Sequence, residues 1–233
     1  MVDGYNLEAL EERIGYRFQN GDLLKQAMTH SSFINEQKIR RKKNYERLEF
    51  LGDAVLELVA SEFLFREYED QPEGELTKMR AAMVCEPALA FCAKDLELGN
   101  FILMGRGEEI TGGRMRNSIT SDVMESLIGA IYLDGGMEPA KLFIDRFILS
   151  DLEDKQLFYD SKSHLQELIQ GRLKKEFSYE LFSESGPEHD KVFCVVVKME
   201  GETLGTGEGK TKKAAEQQAA YHALLFLREK ECI

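Results

Sequence analysis

One segment restricts the possible folds more than any other: Asn44 to Val59, NYERLEFLGDAVLELV. At roughly 100° per residue, Glu46, Glu49, Asp53 and Glu57 share a stripe about 80° wide. Leu48, Leu51, Ala54, Val55, Leu58 and Val59 cover most of the remaining circumference, and Phe50 and Leu56 flank the stripe. A helix this apolar is expected to be buried on most sides, so its acids must face either solvent or a cleft.

A second segment, Asp122 to Leu133 (DVMESLIGAIYL), repeats the theme. Asp122 and Glu125 stand at i and i+3 and so share a face, while the rest of the segment is nearly all apolar. Gly129 would let a neighbouring helix approach closely. Spacing alone leaves two readings open. The helices are either ordinary amphipathic elements with solvated acids, or two buried helices whose carboxylates meet. In the second case four acids in one pocket would repel one another and desolvation would favour their protonated forms. A divalent cation removes both penalties, and all-oxygen ligation favours Mg²⁺ or Mn²⁺. Such a centre can polarise a phosphodiester and activate water for in-line attack.

From Leu7 to about Ser150 apolar residues recur at three- and four-residue spacing, broken near Gly21-Asp22, Gln71 to Gly74, Gly99-Asn100, Gly105 to Gly113 and Gly135-Gly136, which reads as an all-α domain. The polar stretch 151–161 reads as a linker. The pattern then changes to a helix over Ser163–Lys175, strands over Tyr179–Phe182, Val192–Met199 and Leu204–Gly207, turns at Glu184–Asp190 and Glu200–Glu202, and a last helix over Thr211–Arg228. The expected domains are therefore 1–150, all-α, and 162–231, a small α+β unit of α-β-β-β-α order. With 233 residues and an apolar fraction of 43%, both can own a core.

The formal charge of −12 argues at first against a nucleic-acid partner. Its distribution weakens that argument. From Ser161 onward 11 Lys and Arg stand against 12 Asp and Glu, a net of −1, so the first 160 residues hold −11. Bound divalent cations would invert the field locally in the acidic part. The four cysteines, at 85, 92, 194 and 232, form no CxxC pair or zinc-like cluster. The N-terminus has no signal-peptide pattern and no apolar run approaches the roughly 20 residues of a membrane span. The expectation is a soluble, cytoplasmic protein with reduced thiols and no membrane association.

The octapeptide ERLEFLGD, Glu46 to Asp53, matches the signature of the ribonuclease III family at every position. DVMESLIGAIYLDGG, Asp122 to Gly136, resembles that family's second acidic segment. AMTHSS (Ala27 to Ser32), EGELTKMRAAMV (Glu73 to Val84) and FILMGRGEE (Phe101 to Glu109) resemble further blocks in the usual order. The resemblance implies that Glu49, Asp53, Asp122 and Glu125 are the metal-site carboxylates. Within it, Asp53 and Glu125 match the catalytic positions, and Glu49, Asp122 and Glu125 the principal Mg²⁺ ligands. Glu46 and Glu73 match accessory acids near the cleavage site and subunit interface. Tyr45 stands where many relatives place Asn directly before the glutamate, and Ser121 and Met124 replace commoner Ala and Phe. None of these departures touches a ligand.

The string GEGKTKKAAEQQAAYHAL, Gly207 to Leu224, resembles the end of a double-stranded-RNA-binding domain. Lys210, Lys212 and Lys213 at a helix start suit phosphate oxygens, and the alanines at 214, 215, 219 and 220 offer a flat face to the sheet. The resemblance places Gln166 and Glu167 at one RNA minor groove and His189 at the next. Such modules read A-form shape with little sequence choice. Gly209-Lys210-Thr211 is not a P-loop, since that motif needs Gly where Leu204 stands. His30 reads as structural.

Together the resemblances imply an enzyme: a Mg²⁺-dependent endoribonuclease, with Mn²⁺ able to substitute, whose helical domain has the ribonuclease III fold and forms a homodimer. It would cut double-stranded RNA to 5′-phosphate and 3′-hydroxyl ends with 3′ overhangs, with water as nucleophile. The expected substrates are ribosomal-RNA precursors and hairpins in messenger RNA. The alternatives are a non-catalytic double-stranded-RNA-binding protein that keeps the fold, and a structural dimer.

Overall fold

The computed structural model describes residues 6–37, 43–150, 161–186, 191–209 and 211–230. The chain divides into two compact units, Met1–Leu152 and Glu153–Ile233. The division falls within the stretch read as a linker, and 151–160 lie outside the described residues.

In the first unit helices α1 (Leu7–Ile14), α2 (Gly21–Ala27), α3 (Ser31–Gln37), α4 (Glu46–Glu67), α5 (Glu73–Met83), α6 (Glu86–Asp95), α7 (Arg106–Ile110), α8 (Asn117–Gly135) and α9 (Met137–Ile144) surround one core. The expected breaks delimit them, except that the stretch Gly105 to Gly113, read as a break, holds the short helix α7. Asn20 caps α2 by accepting from the Asp22 N–H, Pro72 precedes α5, and Gly136, with φ of 86°, ends α8. α8 is the axis of the unit: Val123, Met124, Leu127, Ile128, Ala130 and Ile131 have no exposed surface.

α4 lies on α8 so closely that the contact is backbone to backbone. A Cβ added to Gly52 would be driven into the Glu125 carbonyl oxygen and would stand 2.9 Å from the Gly129 nitrogen. One added to Gly129 would be driven into the Leu48 carbonyl oxygen. The expectation for Gly129 holds, and its counterpart on α4 is the glycine of the octapeptide. This crossing sets Glu49 and Asp53 beside Glu125.

The expectation that α4 is apolar-buried on all sides but its acid stripe is corrected. Leu48, Val55, Leu56, Val59, Ala60 and Leu64 are buried, but Phe50 is 81%, Leu58 58% and Phe65 74% exposed, and Ala54 is exposed too. At about 100° per residue these four lie within an arc of about 80°, directly alongside the acids. One helix in contact with α8, α5 and α9 cannot cover its whole circumference, and this ridge is the part left over.

The second unit packs two helices on an antiparallel sheet ordered β1 (Phe177–Ser185), β2 (Val192–Met199), β3 (Glu202–Gly209). α10 (Ser161–Gln166) continues through a wider π-helical turn, Glu167–Leu173, and α11 spans Lys212–Glu229. Several expected bounds shift, β3 among them, which spans Glu202–Gly209 and not Leu204–Gly207. Ser161 is fully buried and donates to the Gln217 carbonyl (3.0 Å), so it belongs to the helix and not to the linker. β1 runs longer at both ends than Tyr179–Phe182, because pairing with β2 continues through a bulge between Leu181 and Ser183. The Glu200-Gly201 turn is as expected: both residues have positive φ (51° and 86°), as a two-residue hairpin loop requires.

β3 meets α11 through glycines. A Cβ at Gly207 would run into the Ala219 nitrogen and the Ala215 carbonyl, and one at Gly205 would run into the Ala219 carbonyl. Alternate strand residues thus face an alanine stripe at i, i+4 and i+8: Ala215, Ala219 and Ala223. Ala214, expected on that face, is exposed and Ala223 takes its part.

The Gly52 contact makes a testable claim about stability. Gly52→Ala should force α4 and α8 apart at a cost of about 2 kcal/mol or more, lowering Tm by roughly 4 °C or more. A thermal melt matching that of the unsubstituted protein would show that the helices are not in backbone contact there.

Candidate metal centre and nucleic-acid interface

The residue before α4 prepares the site. Tyr45 is buried, its N–H donates to the Thr29 carbonyl (2.9 Å), and its carbonyl accepts from the N–H groups of Leu48 and Glu49. Glu46 and Glu49 fall in the first turn of α4, where the helix dipole favours negative charge.

Three carboxylates then converge. One oxygen from each of Glu49, Asp122 and Glu125 lies within 4.8 Å of the others, and all three side chains are half-buried. The Tyr45 hydroxyl donates to Asp122 Oδ2 at 3.2 Å. Asp53, read with these three as a fourth member, is exposed one turn further along α4 and stands outside the group. Its charge still reaches both Glu49 and Glu125. Glu46 is exposed at the rim. Glu57, last of the stripe, ion-pairs with Arg80 at 2.6 Å. Glu73 opens α5, is exposed and accepts from the Thr77 hydroxyl (3.1 Å); it is not in the group.

The electrostatics follow from burial among like charges. Desolvation first, then the charges of Asp53, Glu49, Asp122 and Glu57, push the Glu125 carboxyl up to about 8. Desolvation and the charges of Asp122, Glu46 and Asp53 push Glu49 up to about 7. Desolvation also raises Asp122, as do the charges of Glu86 and Glu46, opposed by the Tyr45 hydrogen bond and the His30 charge. Every charge acting on Glu125 and Glu49 is thus another carboxylate. A hard divalent cation ligated by oxygen fits this set, since it supplies the missing positive charge and prefers these donors.

Tyr45, read from the sequence as a departure that touches no ligand, is corrected: its hydroxyl reaches Asp122. Its signal was its place, an aromatic residue directly before the first acid. The backbone N–H of His30, read from the sequence as structural, donates to the Leu103 carbonyl, and its Nδ1 lies 2.7 Å from Ser32 Oγ.

In the second unit Gln166 and Glu167 are exposed at the junction of α10 with its π-helical turn, and Gln166 donates to Gln170 Oε1 at 3.2 Å. Lys212 and Lys213 are exposed in the first turn of α11, which Thr211 caps by accepting from the Ala214 N–H. The Lys212 ammonium lies 5.9 Å from the centre of the Phe193 ring. His189 and Lys210 lie outside the described residues. Among the described residues no helix is long and apolar enough to cross a membrane.

These two units define a class: a helical nuclease domain with an acidic centre, followed by a module of the double-stranded-RNA-binding kind. The family model described as Ribonuclease-III-like matches residues 20–152, and that described as Double-stranded RNA binding motif matches 161–227. Ribonuclease 3 of Shouchella clausii is 48% identical over 221 residues, covering 94% of this chain and 85% of that one. Ribonuclease 3 of Caldanaerobacter subterraneus subsp. tengcongensis is also 48% identical, covering 94% and 96%. The nuclease domain of ribonuclease III from Campylobacter jejuni, solved in a study of flexibility in its dimer-forming region, shares 47% identity with a TM-score of 0.57. That match covers 61% of this chain and 96% of the solved one. The chain belongs to the ribonuclease III family of endoribonucleases.

The raised carboxyls set a pH dependence. Unfolded, Glu49 and Glu125 titrate near 4.5; folded and metal-free, near 7 and 8. Between those values the folded state holds more protons, so metal-free stability falls as pH rises from about 4.5 to 8. Solvent reaches both groups, which limits the effect to about 1 kcal/mol. Glu125→Gln should therefore raise the metal-free Tm at pH 8 by roughly 2–4 °C and leave it nearly unchanged at pH 4.5. Equal melting shifts at both pH values would show that the carboxyl carries no such penalty.

Proposed function

We propose that the protein hydrolyses double-stranded RNA endonucleolytically with Mg²⁺ as cofactor, Mn²⁺ substituting, and leaves 5′-phosphate and 3′-hydroxyl ends. The observation that carries this is the convergence of Glu49, Asp122 and Glu125, one oxygen of each within 4.8 Å of the others, on a chain that also carries a double-stranded-RNA-binding module. Glu49, Asp122 and Glu125 hold the cation. When bound, a divalent cation polarises the phosphodiester and makes water a competent nucleophile. Asp53, exposed and one turn along from Glu49, forms the catalytic pair with Glu125. Glu46 and Glu73 act as accessory acids.

In the second domain, taken as 162–231, Gln166 and Glu167 contact one minor groove and His189 the next, while Lys210, Lys212 and Lys213 contact phosphates. Recognition is of A-form shape, so the substrates are long duplexes such as ribosomal-RNA precursors and hairpins in messenger RNA. The free thiols of Cys85, Cys92 and Cys194 support a reducing, cytoplasmic setting.

The nuclease domain acts as a homodimer whose two sites cut opposite strands and so leave 3′ overhangs. The support is the exposed ridge of Phe50, Ala54, Leu58 and Phe65 alongside the acids, which suits burial against a second copy. Phe50→Asp should convert the dimer to a monomer in analytical ultracentrifugation at micromolar concentration. Persistence of the dimer would place the interface elsewhere.

The function is tested with a long RNA duplex across salt concentrations, in Mg²⁺ and then in EDTA. The unsubstituted protein should cut only in Mg²⁺. Glu125→Ala should bind duplex normally and lose at least about 100-fold in cleavage, as expected of a group acting in proton transfer or metal ligation. Replacing Lys210, Lys212 and Lys213 by Ala should weaken binding and flatten its salt slope by up to about 2 units. Cleavage in EDTA, or by Glu125→Ala at the normal rate, refutes the assigned chemistry. An unchanged salt slope refutes the phosphate contacts.

A further inference from the structure

Tyr45 does two things at once. Its backbone carbonyl accepts the Glu49 N–H at 3.0 Å, so it fixes the helical turn that carries one carboxylate of the centre. Its hydroxyl crosses to α8 and donates to Asp122 Oδ2 at 3.2 Å, so it also fixes a second. The residue itself has little freedom. It is 5% exposed, its N–H is tied to the Thr29 carbonyl, and its ring lies 5.7 Å from that of His30. Among the described residues, the Tyr45 hydroxyl is the one side-chain donor within hydrogen-bond distance of any of the three converging carboxylates.

A carboxylate among other carboxylates is free to rotate away from them, and that rotation would scatter the donor oxygens. A phenol held in place by its own backbone bond and ring contacts opposes it, because the hydrogen bond to Oδ2 restrains rotation of the Asp122 carboxylate. Groups that orient metal ligands in this way commonly contribute about 10- to 100-fold to metal affinity.

We propose that Tyr45 is a positioning residue that holds the Asp122 carboxylate in the orientation a divalent cation requires. This rests on the cation site proposed above, and the test separates the two. Mn²⁺ binding is measured on the full chain without RNA, by electron paramagnetic resonance of the free ion, for the unsubstituted protein, Tyr45→Phe, Asp122→Asn, Glu125→Gln and the Tyr45→Phe/Asp122→Asn pair. Tyr45→Phe keeps the ring and the backbone bonds. It should weaken Mn²⁺ binding about 10-fold and raise the Mg²⁺ concentration for half-maximal cleavage by a similar factor. Much of the cleavage rate should return at saturating Mg²⁺, which a merely structural defect would not allow. In the Asp122→Asn background the same substitution should weaken binding further by less than about 2-fold, since its acceptor is already altered.

Unchanged Mn²⁺ affinity in Tyr45→Phe would overturn the proposal, as would a full 10-fold loss added to that of Asp122→Asn. Should Tyr45→Phe fail to melt cooperatively, the hydroxyl would be holding the fold and not a ligand, and the proposal would fall. If Glu125→Gln binds Mn²⁺ as tightly as the unsubstituted protein, the cation site itself is wrong, whatever Tyr45 does.

Discussion

The backbone contact between Gly52 and Gly129 is the constraint on which the centre depends. Helices separated by ordinary side chains pack about 8–10 Å apart, and carboxylates projecting from each would then lie at the edge of each other's reach. Removing both side chains at the crossing lets α4 settle against α8 until the Glu125 carbonyl faces Gly52. Glu49 lies one turn before that crossing and Glu125 one turn before Gly129, so the contact that brings the backbones together also brings the carboxylates together. The glycines cost helix propensity, about 1 kcal/mol each relative to alanine, and burial of the flanking leucines and isoleucines offsets it.

What this geometry creates is unfavourable by itself. Half-buried carboxylates whose acting charges are all carboxylates weaken the folded state at neutral pH. The surrounding core absorbs the penalty: α8 is buried nearly along its length, and its packing holds the backbone that carries the acids in place. A site that is strained when empty binds a cation more tightly, because ligation removes repulsion as well as adding coordination. Tyr45 contributes from the same side, since it stabilises the ionised form of Asp122 against desolvation.

How much of this was legible in the sequence varied with the physics involved. The acid stripe and the Asp122/Glu125 pair could be read from helical periodicity, because the 3.6-residue period is a local property. The β2–β3 turn could be read for the same reason, since Gly201 permits the positive φ that the turn needs. The meeting of the stripes was not local. It depended on a crossing that spacing cannot show, and resemblance to a family supplied it. Asp53 shows the limit of that help, because sharing a face with Glu49 did not place its oxygens in the same group. The exposed ridge on α4 was illegible for a different reason: periodicity separates apolar from polar faces but does not count how many partners one chain can provide. Gly207 was read as the start of a lysine-containing string and Gly205 only as part of a strand, whereas their physical role is to admit the alanines of α11. Ser161 looked like linker because a small polar residue carries no sign of the buried carbonyl it meets.

The charge distribution gains a physical meaning once the two units are considered as parts of one function. A domain carrying most of a net −12 repels an RNA backbone at every distance shorter than the screening length. A divalent cation at the acidic centre would reduce that charge locally. The nuclease domain is therefore poorly suited to capture duplex RNA by itself. The second unit is nearly neutral in sum, with Lys212 and Lys213 exposed at the start of α11. Capture by that unit makes engagement of the first effectively intramolecular, where a high local concentration can offset repulsion that would defeat a free domain. Repulsion then has a use. It penalises non-specific adhesion of the nuclease surface to any phosphate chain, and leaves binding to depend on a module that reads the shape of the duplex.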